Sequence, residues 1–176
     1  DQEITEVALQ YGAEVPFVRP AEIADDFATT LDVMQHAIMW CKGQQWAVDK
    51  VCCIYATAPF ILPEDIQQGL EEVCAESVEY AFSAATFPFP IQRAISLDKD
   101  GAVSMFSPEY ANTRSQDLEE AYHDAGQFYW GEATAYLAGK AIFSDHSKAV
   151  ILPRKRVQDI DTFEDWRLAE AMFSVL

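Results

Sequence analysis

Two aspartates near the carboxyl end of the chain have a spacing that suits a divalent cation. Asp159 and Asp161 stand in the segment Gln158-Asp159-Ile160-Asp161-Thr162. On an extended backbone, residues i and i+2 point to the same side, so both carboxylates would face one way while Ile160 turns the other way. Two hard oxygen ligands, with room for water and phosphates, are what Mg²⁺ prefers. The structural alternative is that Asp161 caps the following helix and Asp159 faces solvent, because so short a motif also occurs by chance.

Basic residues are scarce, and several stand where they could hold an anionic substrate. The chain has 12 Lys and Arg against 29 Asp and Glu. The bases that follow a predicted strand or lie in predicted loops are Arg19, Arg93, Arg114 and the run Arg154-Lys155-Arg156. In an acidic protein, a local concentration of bases is needed to hold an anion. For each base taken singly, the alternative is an ion pair with one of the surplus acids on the surface.

The overall charge and the cysteines limit the classes of partner and compartment. The net charge is −17, and a field of that sign repels phosphate backbones and anionic lipid, so we expect neither nucleic acid nor a membrane surface as a partner. No apolar run approaches the roughly 20 residues of a membrane helix. Cys52 and Cys53 are adjacent inside an apolar run, which indicates buried reduced thiols and predicts a cytoplasmic protein.

Several common catalytic motifs are missing from the sequence. It has no G-x-S-x-G, no H-E-x-x-H and no Walker loop, so serine hydrolases, zincins and P-loop NTPases have no support. His123 and Asp124 are neighbours, and adjacent side chains on a turn rarely point at each other, which argues against an acid–base dyad. The residues 57–59 follow a predicted strand, and such loops form the ligand crevice of open α/β sheets.

The hydrophobic pattern alternates between strand and helix, which predicts a single α/β domain. Threonine caps, a Pro-Glu-Asp start and a capping box mark three helix beginnings. The predicted helices cover residues 4–11, 30–43, 63–74 and 132–137, and a final one follows Thr162. The predicted strands cover residues 14–18, 51–55, 80–86, 127–130, 150–152 and 157–160, with a hairpin formed by residues 91–97 and 102–106.

Six segments, spread over nearly the whole chain, form an ordered set of motifs: residues 14–22 (EVPFVRPAE), 55–59 (YATAP), 87–93 (FPFPIQR), 113–118 (TRSQDL), 123–129 (HDAGQFY) and 157–162 (VQDIDT). In this order they resemble the CMP–sialic acid synthetase family of cytidylyltransferases, and most closely its pseudaminic acid branch. The resemblance implies a three-layer, nucleotide-diphospho-sugar transferase-like (Rossmann-like) α/β fold with a mixed sheet and a protruding hairpin. It also implies that CTP and a nine-carbon nonulosonic acid react to give a CMP-sugar and pyrophosphate, with Mg²⁺ as the cofactor.

The resemblance assigns roles to particular residues. Asp159 and Asp161 match the catalytic, metal-holding pair of the family, and Arg19 and Thr30 match positions that contact the nucleotide. The positions that match sugar-binding residues are Tyr55, Gln92, Arg93, Arg114 and Tyr129. Sialate-activating members carry Gln at the position of Tyr55 and Lys at that of Gln92. These departures favour a sugar with other substituents, such as pseudaminic acid, over sialic acid.

The resemblance also predicts the assembly and leaves alternatives open. Residues 87–122 would reach a second subunit, so we expect a homodimer. The family opens with a strand and a glycine- and arginine-rich loop that cradles the triphosphate, and neither occurs here, so we expect a fragment or a sequence that omits its first part. One alternative is therefore a non-catalytic fragment or truncated paralogue that acts only as a sugar-binding or interaction module. Another is a nucleotidyltransferase for an eight-carbon sugar acid.

Overall fold

The structure is a computed structural model that describes residues 1–25 and 27–176, and it is a mixed α/β fold. The helices are α1 (Gln2–Gln10), α2 (Thr30–Gly43), α3 (Pro63–Val73), α4 (Ala133–Leu137) and α5 (Phe163–Phe173). The strands are β1 (Lys50–Ile54), β2 (Tyr80–Thr86), β3 (Ile95–Leu97), β4 (Val103–Met105), β5 (Tyr122–Glu132) and β6 (Ser147–Ile151). No helix among these residues is both long enough and apolar enough to cross a membrane.

The main sheet is mixed and has the strand order β1-β5-β2-β6. Strand β5 runs antiparallel to both β1 and β2, whereas β6 runs parallel to β2. Strands β1, β2 and β6 therefore point the same way, and their carboxyl ends meet at one edge of the sheet. The predicted mixed α/β architecture is confirmed.

Helices pack on both faces of the sheet, and two glycines allow their close approach. At Gly131 of β5, an added Cβ would lie 2.6 Å from Cδ1 of Tyr80, on the face where Tyr136 of α4 packs. At Gly69 of α3, it would lie 2.6 Å from Cε2 of Phe128, on the opposite face. Real Cβ atoms do not approach so closely, so both positions need glycine for dense packing.

Helices α2 and α3 begin at the residues that the sequence predicts. The Thr29 side chain accepts a hydrogen bond from the Asp32 N–H, and the Asp32 carboxylate accepts one from the Thr29 N–H, so a capping box starts α2. Pro63 opens α3, where its missing N–H costs nothing. The predicted hairpin also forms, as the separate two-stranded sheet β3–β4. Its first strand is shorter than predicted, because Ile91–Arg93 form a 3₁₀ turn and the strand begins at Ile95.

Three strand predictions differ from the structure in more than their bounds. Residues 14–18 form no strand; Phe17 instead packs its ring on His36 and Trp40 of α2, with centroids 5.1 and 5.0 Å apart. Residues 157–160 form no strand, and no neighbouring strand pairs with them among the described residues. Strand β1 is predicted to be buried on both faces, but Ile54 is 52% exposed. The strand lies at the edge of the sheet.

Candidate active site

The two predicted metal-holding aspartates lie in the irregular segment between β6 and α5. A short 3₁₀ turn, Arg154–Arg156, leads into this segment, and Thr162 ends it as the N-cap of α5. Thr162 Oγ1 accepts a hydrogen bond from the Asp165 N–H (3.3 Å), and Asp165 Oδ2 accepts one from the Thr162 N–H (2.9 Å). The helix cap is therefore formed by Thr162 and Asp165, and not by the carboxylate of Asp161.

The carboxylates in this segment lie close enough to repel one another. Burial raises the pKa of Asp159 above its ordinary value, and the negative charge of Asp161 raises it further, with smaller effects from Asp165 and Asp124. Mutual repulsion of this kind makes a region attractive to a cation. Within residues 1–25 and 27–176, no cluster of three or more His, Cys, Asp or Glu side chains could hold a metal. A pair of carboxylates that leaves other positions to water and phosphates suits Mg²⁺, which is bound in this way.

A bulge in β5 lies against the acidic segment. The register of β5 on β2 shifts between Phe82 and Ala84, and Gly126 sits at the irregularity with a φ of +62°. Its N–H donates to Asp124 Oδ1 (3.0 Å). An added Cβ at Gly126 would lie 3.9 Å from Asp159 Oδ2, so the bulge and the Asp159 carboxylate are neighbours. A left-handed backbone angle favours glycine at this position.

A row of hydroxyl-bearing side chains connects the bulge with the start of α2. The Tyr129 hydroxyl donates to Asp124 Oδ2, and burial, followed by this hydrogen bond, raises the pKa of Tyr129, so the phenol keeps its proton. The Tyr55 and Tyr129 rings lie 5.4 Å apart. The Tyr55 hydroxyl in turn lies 2.5 Å from Thr30 Oγ1. Thr30, Tyr55, Tyr129 and Asp124 thus form one continuous chain of contacts.

A cleft of about 430 Å³ opens beside this row, at the carboxyl end of β1. Arg19, Thr30, Tyr55 and Thr57 line it. The structure therefore brings together both predicted nucleotide-binding residues and one predicted sugar-binding residue. The loop after β1 contributes to this cleft, as expected for the crevice of an open α/β sheet.

Three of the other predicted sugar-binding residues, Gln92, Arg93 and Arg114, lie in the segment that carries the hairpin, whereas Tyr129 lies in β5. Gln92 Nε2 donates to the Glu119 carbonyl (3.0 Å), and the Arg93 guanidinium donates to the Thr113 carbonyl. Arg114 forms a two-pronged ion pair with Asp117, with distances of 2.7 and 3.0 Å. For Arg114, the alternative of pairing with a surface acid therefore holds in this structure. None of these three basic or amide side chains lines the cleft.

The basic run before the aspartates does not form an anion site as a unit. Arg156 donates through both terminal nitrogens to Asp65, and through Nη1 to the Phe60 carbonyl (3.2 Å). Its side chain is only 14% exposed. Only Arg154 and Lys155 remain exposed. For Arg156, the alternative of an ion pair with an acid therefore holds in this structure.

Comparison with known proteins decides the family. A family model described as cytidylyltransferase matches residues 1–172. A pseudaminic acid cytidylyltransferase of Campylobacter jejuni is 43% identical over 175 residues, which cover 99% of this chain and 75% of that protein. The chain belongs to the cytidylyltransferase family. Membership favours a catalytic nucleotidyltransferase over the non-catalytic module that the sequence left open.

More distant relatives of this cytidylyltransferase act on related sugars, by their names. A CMP-N,N'-diacetyllegionaminic acid synthase of Legionella pneumophila is 30% identical, over 99% of this chain and 75% of that protein. An N-acylneuraminate cytidylyltransferase of Escherichia coli is 27% identical, over 93% of this chain and 38% of that protein. The solved structure of a CMP:2-keto-3-deoxy-manno-octonic acid synthetase complexed with CTP has a TM-score of 0.62. It covers 99% of this chain and 78% of that chain, and at 10% identity it shows the shared fold alone.

The sequence alone assigns no role to two residues of the candidate site. The sequence pairs Asp124 only with His123, yet Asp124 contacts Tyr129, and its negative charge raises the pKa of Asp159. The sequence predicts Gln127 as an ordinary strand residue, yet its amide donates to the Arg156 carbonyl, in the turn that leads to the aspartates. A polar residue inside a strand next to glycine was the available signal, because glycine in a strand often marks a bulge.

Proposed function

We propose that this cytidylyltransferase transfers CMP from CTP to a nine-carbon nonulosonic acid, with release of pyrophosphate. Pseudaminic acid is the favoured acceptor and sialic acid the next. The observation that carries the proposal is the 43% identity to a pseudaminic acid cytidylyltransferase over 99% of the chain. Tyr55 and Gln92, which replace the Gln and Lys expected for a sialate enzyme, support the same choice.

The site residues have distinct proposed roles. Asp159 and Asp161 would hold Mg²⁺, which supplies charge neutralisation and polarises the phosphates when bound. Arg19 and Thr30 bind the nucleotide in the cleft, where the contact between the Thr30 and Tyr55 hydroxyls fixes the side chain of Thr30. Neutralisation by the cation and by Arg19 matters especially here, because a protein of net charge −17 otherwise repels CTP.

Positioning accounts for most of the proposed catalysis, as in other transfers of phosphoryl groups. The anomeric oxygen of the sugar forms a bond to the α-phosphorus, the bond from that phosphorus to pyrophosphate breaks, and the hydroxyl proton is released. Tyr55, which lines the cleft, and Tyr129, whose buried ring lies 5.4 Å from that of Tyr55, are two of the proposed sugar contacts. The others are Gln92, Arg93 and Arg114. Arginine suits a sugar carboxylate because it donates two parallel hydrogen bonds.

The proposed assembly is a homodimer through residues 87–122. The hairpin β3–β4 pairs only with itself among the described residues, and an isolated two-stranded hairpin is marginally stable in water. It carries exposed apolar side chains, including Leu97 (66% exposed), Val103 (61%) and Phe106 (71%). Exposed apolar area of this kind marks an interaction surface, and a second copy of the chain is the proposed occupant.

The proposed location is the cytoplasm. All four cysteines are free thiols. Burial, with a smaller effect of Cys53, raises the pKa of Cys52 to about 12, so this thiol stays protonated and unreactive. Free thiols are typical of a reducing compartment. The strongly negative charge supports the further proposal that neither nucleic acid nor a membrane surface is a partner.

The test is pyrophosphate release from CTP with a panel of nonulosonic acids. Asp159→Asn and Asp161→Asn should each lower kcat/KM by about 100- to 1,000-fold, because the cation supplies several kcal/mol of transition-state stabilisation. Asp145→Asn is the matched control, since its side chain is 92% exposed and lies outside the site. Pyrophosphate release that needs no nonulosonic acid would contradict the proposal. An unchanged rate of release in both Asp159→Asn and Asp161→Asn would also contradict it.

A further inference from the structure

The segment that carries Asp159 and Asp161 belongs to no sheet, so other contacts must fix its backbone. It lies outside the strands of both sheets and between a 3₁₀ turn and a helix cap. Two carboxylates that repel each other separate unless the backbone holds them. The contacts that hold the beginning of this segment come from Gln127 of β5 and, through Arg156, from Asp65 of α3.

Gln127 forms three hydrogen bonds, two through its backbone and one through its side chain, and the side-chain bond ties β5 to the turn before the acidic segment. Its N–H donates to Ser83 Oγ (3.1 Å), and its carbonyl accepts from the Tyr55 N–H (3.0 Å). Its side-chain Nε2 donates to the Arg156 carbonyl (2.8 Å), three residues before Asp159. The side chain is fully buried, yet its Oε1 has no hydrogen-bond partner. A buried, unpartnered amide oxygen destabilises the fold, so stability alone does not explain an amide here.

The Arg156 side chain anchors the 3₁₀ turn Arg154–Arg156 to α3. Nη2 donates to Asp65 Oδ1 (3.0 Å), and Nη1 donates to Asp65 Oδ2. Asp65 is 8% exposed, and its Oδ2 also accepts from the Leu62 N–H (2.9 Å). A two-pronged ion pair allows little rotation. The backbone carbonyl and the side chain of one residue are thus both anchored, to different elements of the protein.

We infer that Gln127, Arg156 and Asp65 are positioning residues that hold the acidic segment in place and thereby set its affinity for a divalent cation. The inference rests on the proposed function, in which Asp159 and Asp161 hold that cation. Outer groups that orient metal-binding side chains typically change metal affinity by 10- to 100-fold. These three residues touch neither substrate nor cation, and they act through the backbone of residues 156–161.

Gln127→Met is the decisive variant, because it separates positioning from folding. Methionine fills a similar volume, removes the tether to Arg156 and also removes the unpartnered oxygen. The melting temperature without metal should therefore stay equal or rise, whereas the Mn²⁺ dissociation constant, measured by paramagnetic resonance, should rise about tenfold or more. Gln35→Met is the matched control, since Gln35 Nε2 likewise donates to a backbone carbonyl, that of Tyr136 (2.8 Å), away from the acidic segment.

A kinetic measurement supplies a second readout. The Mg²⁺ concentration that gives half-maximal rate should rise in Gln127→Met, and saturating Mg²⁺ should restore kcat. Arg156→Lys, which keeps the charge and loses the two-pronged geometry, should show an intermediate rise. Unchanged Mn²⁺ affinity in Gln127→Met would overturn the inference. If the unaltered protein binds Mn²⁺ no better than Asp159→Asn does, the proposed function fails instead, so the two failures are distinguishable.

Discussion

At Asp65, burial and hydrogen bonding act on one carboxyl group in opposite directions. Burial raises the pKa of Asp65, but the hydrogen bonds from Arg156 and from the Leu62 N–H, with the Arg156 charge, outweigh it, and the pKa lies below its ordinary value. The unfolded chain therefore takes up this proton at a higher pH than the folded protein does. The ionised group stabilises the fold fully above about pH 4, and this contribution is lost as the pH falls through the lowered pKa.

Asp65→Asn should show this pH dependence in its stability. At pH 7 the substitution leaves a buried guanidinium without its counter-charge, so the free energy of unfolding should fall by about 3 kcal/mol. Towards pH 2, as the pH falls through the lowered pKa and Asp65 of the unaltered protein takes up its proton, the difference should shrink. Urea unfolding at both pH values measures it, and an equal loss at both would contradict the assignment of the ion pair.

At the scale of elements, the β5 bulge brings Asp124 and Gly126 against the acidic segment. The bulge requires a left-handed residue, and glycine at position 126 meets that requirement without strain. The same strand carries Tyr129 to the aromatic row and Gln127 to the tether. One irregular strand therefore organises several parts of the site.

Substitution of Gly126 tests the role of the bulge. Gly126→Ala should lower the free energy of unfolding by about 1–2 kcal/mol, because an alanine is strained at φ +62° even though its Cβ would meet only ordinary contacts. Gly126→Asn should cost less, since asparagine tolerates this region better. Gly43→Ala, at the end of α2 with nothing within 4 Å of an added Cβ, should cost nothing. Equal effects at positions 126 and 43 would contradict the account.

The same elements explain what the sequence could predict. Strand β2 has the predicted bounds, Tyr80–Thr86, and the caps at Thr29 and Thr162 start α2 and α5 as predicted, because these signals are local. The length of β5 and its antiparallel direction depend on pairing with strands far along the chain, and local patterns do not encode that. Residues 157–160 have an extended pattern, but no periodicity reveals whether a partner strand exists.

The contacts that form the candidate site also join distant parts of the chain, which local sequence patterns do not encode. The aspartate spacing is visible in the sequence, and the family resemblance names the cleft residues Arg19, Thr30 and Tyr55. The pairing of Arg156 with Asp65 joins residues that lie 91 positions apart, so the sequence could not distinguish an anchored arginine from one that is free to bind an anion. The roles of the predicted site residues in binding stay predictions.

At the scale of the whole molecule, apolar exposure on the hairpin accompanies a strongly negative surface. A net charge of −17 opposes association between copies, so a dimer interface must bury enough apolar area to offset that repulsion. The exposed side chains of β3–β4 and the following turn supply such area, and residues that match sugar-binding positions stand in the same segment. Assembly and sugar binding are therefore expected to depend on one part of the chain.

Phe106→Glu should separate the subunits. The side chain is 71% exposed, and a charge placed within the proposed apolar interface should weaken dimerisation by about tenfold or more. Tyr11→Glu is the control, since Tyr11 is 85% exposed and lies outside residues 87–122. Light scattering at micromolar concentration should give a dimer mass for the unaltered protein and for Tyr11→Glu, and a lower mass for Phe106→Glu. A monomeric unaltered protein would contradict the proposed assembly.

Anomalous diffraction from crystals grown with CTP and Mn²⁺ tests most directly whether Asp159 and Asp161 hold the cation. We expect a manganese peak at coordination distance, about 2.0–2.6 Å, from an oxygen of both Asp159 and Asp161. Phosphate oxygens of the nucleotide should complete its shell. A nucleotide bound in the cleft with no manganese at these two carboxylates would contradict their proposed role as metal ligands.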